Sequence, residues 1–100
     1  MSFRRRNRAA QAPPQAVQPP RPAIEPPYLV IDALGRKCPI PIILLAERIR
    51  EVPIGSVVAV LADDVAARTD VPAWCRMKSQ TFVVEETLQQ GWAFHIRRCY

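Results

Sequence analysis

The sequence predicts an α+β fold, a two-layer sandwich with two helices on one face of a mixed four-stranded sheet, in the order βαβαββ. Three observations carry this expectation. Runs rich in β-branched, aromatic and other apolar residues recur at 28–33, 56–62, 80–86 and 92–98. Between the first three lie two segments with helical signals, and the last two are joined by a short connection that includes Gly91.

"YLVIDA", Tyr28 to Ala33, reads as the first strand. Apolar residues at Ile42, Leu45, Ile49 and Val52 then recur at helical spacing, with Pro41 as the first helical residue, where a missing N–H costs nothing. That helix stops at Pro53 to Gly55. "SVVAVLA", Ser56 to Ala62, is a continuous apolar run suited to a central strand, closed by Asp63 and Asp64. A second helix is expected over about 70–79, with Thr69 or Asp70 as N-cap, Pro72 in its first turn, and Val71, Trp74 and Cys75 facing inward. "QTFVVEE" and "WAFHIRR" form a hairpin. In the second of these, Trp92, Phe94 and Ile96 alternate with Ala93, His95 and Arg97, which places His95 on the solvent side.

Residues 1–27 differ from the rest. They hold seven of the eleven prolines, five arginines and a single acid, Glu25, whereas residues 28–100 carry nine basic and eight acidic side chains. The excess positive charge therefore belongs to a segment read as a disordered or polyproline-like tail, with the domain at 28–100. The tail lacks the apolar stretch of a secretory signal, and its prolines break any amphipathic targeting helix. No run approaches the roughly 20 apolar residues of a membrane span, so a soluble cytosolic protein without membrane contact is expected. The three cysteines, Cys38, Cys75 and Cys99, match no zinc spacing and are an odd number, which argues for reduced thiols over a disulfide framework or a metal site.

The stretch "LGRKCPIPIILL" sets Cys38 between Arg36–Lys37 and Pro39, with Pro41 two residues on. Residues before proline avoid the α region, so Cys38 and Ile40 are expected to be extended and the helix to begin at Pro41. The thiol would then sit at a helix N-terminus beside two positive side chains, conditions that favour thiolate. A nucleophile or sulfur acceptor needs that state. Spacing alone leaves a second reading open, in which Pro41 is an ordinary helix starter and Cys38 a small apolar core residue.

The run "IDALGRKCPIP", Ile31 to Pro41, followed by Asp63–Asp64 and by Asp70, Pro72 and Cys75, resembles the TusA/SirA-like family of small sulfur carriers over about residues 29–98. The resemblance implies the same βαβαββ sandwich. It also implies that Cys38 takes up sulfane sulfur as a persulfide from a cysteine desulfurase or rhodanese-type donor and hands it to a downstream acceptor protein, for example in tRNA thiolation, with no metal or organic cofactor. Arg36, Lys37, Pro39 and Pro41 would be the supporting motif. Asp63 and Asp64 are read as strand-end and turn residues or partner contacts, and Asp70 as a cap. Cys75 is read as a core thiol and Cys99 as an exposed one without a role. A second function of a different class is a non-catalytic binding or regulatory module, in which the basic tail contacts nucleic acid and Cys38 is incidental.

Overall fold

The computed structural model describes residues 24–100. Of the tail at 1–27, expected to be disordered and a candidate nucleic-acid contact, residues 1–23 lie outside the described residues. Residues 24–27 form neither helix nor strand, and Glu25 Oε1 accepts a hydrogen bond from Arg97 Nη2 at 2.6 Å.

The chain runs β1 (Leu29–Asp32), α1 (Ile40–Arg48) continued by a 3-10 turn (Ile49–Glu51), β2 (Val57–Ala62), α2 (Ala67–Lys78), β3 (Thr81–Thr87) and β4 (Trp92–Arg97). The sheet order is β1-β2-β4-β3. β1 and β2 are parallel, and β4 is antiparallel to both β2 and β3. This is the mixed sheet expected, with two helices over it. Ile31, Val58, Val60, Phe94 and Ile96 project from the sheet into one core cluster with Leu45, Ile49, Val71, Trp74 and Cys75 of the helical layer. Since β1 and β2 point the same way, their carboxyl ends and the starts of both following helices gather at one end of the domain.

Both helices begin earlier than the local signals indicate. Ile40, although followed by a proline, is the first residue of α1, and Pro41 is buried at the second position. The bias against helix before proline yields here because the Ile40 N–H is already held by the Lys37 carbonyl at 2.9 Å. For α2, Asp64 Oδ1 accepts a hydrogen bond from the Ala66 N–H at 3.1 Å. Ala67, Arg68 and Thr69 then each donate to the carbonyl three residues back, which winds a tight first turn. Asp70 is therefore the fourth residue of α2 and not its cap, and Pro72 lies inside the helix.

The hairpin forms as expected, with one irregularity. A register shift between Phe82 and Val84 moves Glu85 opposite Phe94, on the helical side, where it meets Arg68 Nη2 at 2.9 Å. Arg68 in turn lies 5.0 Å from the Trp92 ring centroid. Phe94 is fully buried and Trp92 packs on the core, so neither forms an open stacking platform. His95 corrects the expectation of solvent exposure: it is 3% exposed. It sits on an inner strand between Ala59 of β2 and Val84 of β3, and its Nε2 is 3.1 Å from Glu86 Oε1.

Candidate functional site

The loop from Ala33 to Pro39 connects β1 to α1 and carries Cys38 at the end of the domain where both helices start. Local bonds shape its first half: the Leu34 N–H donates to Asp32 Oδ1 at 3.0 Å and the Arg36 N–H to the Ala33 carbonyl at 3.2 Å. Gly35 adopts φ +79, the left-handed region that favours glycine.

Two carboxylates from the end of β2 hold the loop from outside. Asp63 accepts the Gly35 N–H at 3.0 Å on Oδ1 and 3.1 Å on Oδ2, and Gln90 Nε2 also donates to Oδ2, at 3.1 Å. Asp64 Oδ2 accepts the Cys38 N–H at 2.9 Å while its Oδ1 starts α2. Asp63 and Asp64 are thus clasps between the thiol loop and the rest of this end, a more specific role than turn residues. Donation from the Cys38 and Ala66 N–H groups, aided by Lys37, holds the Asp64 carboxyl below the usual carboxylate range. Gly91, at φ +76, completes the clasp because a side chain there would meet the Ala62 carbonyl and the Asp63 backbone.

Cys38 is half-buried, packed against the edge of the core, and its peptide bond to Pro39 is cis. Burial, followed by the neighbouring Asp70 and Asp64 carboxylates, pushes the thiol up from 9.0 to about 11. This is the opposite direction to the thiolate expected at the helix end. The physical reason is that partial burial first, and then the nearby carboxylates, disfavour the charged form. Arg36 and Lys37 are exposed, and neither forms an ion pair among the described residues.

The other sequence candidates fall elsewhere. Cys75 is buried in α2, and desolvation pushes its thiol up to about 11. Cys99 is exposed, with Sγ 3.1 Å from Thr81 Oγ1. Asp70, expected to cap a helix, instead lies inside the first turn of α2, where its charge adds to the upward push on the Cys38 thiol, an effect hidden in the sequence because it depends on α2 starting three residues earlier. Among the described residues no cluster of three or more histidine, cysteine or acidic side chains is arranged to hold a metal, and no helix is long and apolar enough to cross a membrane. A cavity of about 520 Å³ lies at the opposite end, where Ile49, Arg50, Trp74, Lys78 and Tyr100 line the space between the C-terminal parts of the helices. It is remote from the thiol.

A model of the sulfurtransferase TusA family matches residues 29–98, which contain the whole thiol loop, both clasps and Asp70. Among solved structures, the chain is similar to a SirA-like protein from Desulfitobacterium hafniense, with a TM-score of 0.63 and 27% sequence identity, covering 73% of this chain and 100% of that one.

Proposed function

Given that the chain belongs to the sulfurtransferase TusA family, whose members relay sulfur between partner proteins, we propose that Cys38 is its sulfur-carrying residue. In the reaction, the Cys38 thiolate attacks the outer sulfur of a persulfide on a donor such as a cysteine desulfurase or a rhodanese-type protein. The donor's S–S bond breaks, its thiolate leaves and takes up a proton, and Cys38 becomes the persulfide. A second exchange passes the sulfur to an acceptor thiolate and restores Cys38. Neither step changes the total oxidation state, so no cofactor is consumed.

The observation that carries this reading is the contrast among the three thiols. Cys75 is sealed in the core, and Cys99 stands outside the family-matched segment. Cys38 is at the surface on a loop tied down by two carboxylates, so a partner can approach a thiol whose backbone is already fixed. Incubation of the reduced protein with a cysteine desulfurase and L-cysteine, read by intact and peptide mass spectrometry, tests it. One added sulfur on Cys38, absent in Cys38→Ser, is expected. Sulfur uptake that survives Cys38→Ser would overturn the assignment.

A further inference from the structure

Asp63 and Asp64 hold the thiol loop in different ways. Asp64 is anchored within its own segment, because its Oδ1 accepts the Ala66 N–H at 3.1 Å while its Oδ2 accepts the Cys38 N–H at 2.9 Å. The Asp63 carboxylate has no such local bond. It takes the Gly35 N–H on both oxygens, at 3.0 and 3.1 Å, and its other hydrogen-bond partner among the described residues is Gln90 Nε2, 3.1 Å from Oδ2. Without Gln90, the Asp63 side chain would be held only by the loop it has to hold.

Gln90 is exposed in the turn between β3 and β4, and its side chain makes no other hydrogen bond among the described residues. The backbone brings it to Asp63. The Leu88 N–H donates to the Gly91 carbonyl at 3.0 Å, which closes the turn, and Gly91 packs so tightly that a Cβ there would come within 2.8 Å of the Asp63 Cα. An amide donor facing a carboxylate forms a charge-assisted bond, stronger than a neutral one.

We propose that Gln90 is a positioning residue for Cys38: acting through Asp63 and Gly35, it makes the hairpin turn a brace that keeps the thiol loop in the arrangement from which sulfur is exchanged. This rests on Cys38 being the sulfur-carrying residue. Exchange needs the Cys38 sulfur aligned with the S–S bond of the donor persulfide, and a loosened loop presents it in that geometry less often. Loss of the brace therefore slows transfer within the docked pair, read in kcat, and leaves docking, read in KM, little changed.

The test is a swap cycle in the full chain, with circular dichroism and urea unfolding confirming the fold of each variant. Gln90→Glu sets a second carboxylate against Asp63. Asp63→Asn combined with Gln90→Glu exchanges the two groups, so that the new carboxamide at 63 accepts the Gly35 N–H and donates to the new carboxylate at 90. Two readouts are taken: amide hydrogen exchange at Gly35 by NMR, and steady-state sulfur uptake from a cysteine desulfurase with L-cysteine. Gln90→Glu should speed Gly35 exchange and lower kcat, each at least about fivefold, with KM within about twofold of wild type. Gln90→Ala should move both the same way by less, and the swap should return both to within about twofold of wild type. Wild-type values in both single variants, a swap no better than Gln90→Glu alone, or a change confined to KM would overturn the proposal. The carrier assignment fails separately: a wild type that takes up no sulfur on Cys38 refutes that reading, while the cycle in Gly35 exchange still decides whether Gln90 holds the loop.

Discussion

Cys38 and Cys75 hold thiols pushed up to about the same value, 11, by different surroundings. At Cys75, inside α2 and 1% exposed, desolvation dominates and only unfolding can relieve it. At Cys38 burial also leads, and the Asp70 and Asp64 carboxylates add to it. Equal acidity therefore does not mean equal availability. A core seals one thiol, whereas the other stands on a loop at the surface.

The largest expected difference between the two is in native-state alkylation. Cys38 should react by local access, while Cys75 should wait for global opening, a gap on the order of a thousandfold or more for a domain of ordinary stability. Time-resolved iodoacetamide labelling with peptide mass spectrometry measures it, and comparable rates would show that Cys75 is not sealed. Next in size is Gly91→Ala. A Cβ there meets the Ala62 carbonyl and comes within 2.8 Å of the Asp63 Cα, so a loss of about 1–3 kcal/mol is expected by urea denaturation. Because Asp63 holds Gly35, Cys38 labelling should rise beyond what the stability loss alone produces.

A smaller effect appears in alkali. An acid whose proton is held more tightly in the folded state makes the unfolded state the first to ionise, so stability falls as pH rises from about 9 toward 11. Cys75→Ala should flatten the decline of Tm over that interval, and an equal slope in both proteins would contradict the assigned burial effect. Smallest is the acid limb. Asp64, held low by two N–H donors, contributes stability that is present above the ordinary carboxylate range and lost as pH falls below it. Asp64→Asn should therefore reduce the steepness of acid unfolding followed by circular dichroism.

The same two regions show what sequence patterns reveal and what they hide. Helical spacing placed Leu45, Ile49 and Val52 in the core, and alternation placed Phe94 and Ile96 there, because burial of a face imprints a period on its own strand or helix. Cys38 stood out through the prolines around it. Its acidity did not, since that depends on burial and on charges from the end of β2 and from α2, far away along the chain. Asp70 looked like a cap because Pro72 follows it, yet the helix is started by Asp64 through an Asx-type bond. His95 looked solvated because it alternates with core residues, but an inner strand leaves less room on its second face than the pattern suggests.

The central claim, that one thiol alone carries the sulfur, is tested most directly in a chain whose sole cysteine is Cys38, made by Cys75→Ala and Cys99→Ala. Loaded with labelled sulfur from a persulfide donor and then chased with excess low-molecular-weight thiol, this chain should take up one sulfur and release all of it, as the full chain does. A sole-cysteine chain that folds but takes up none, while the full chain does, would contradict the account and move the carrier role to another thiol.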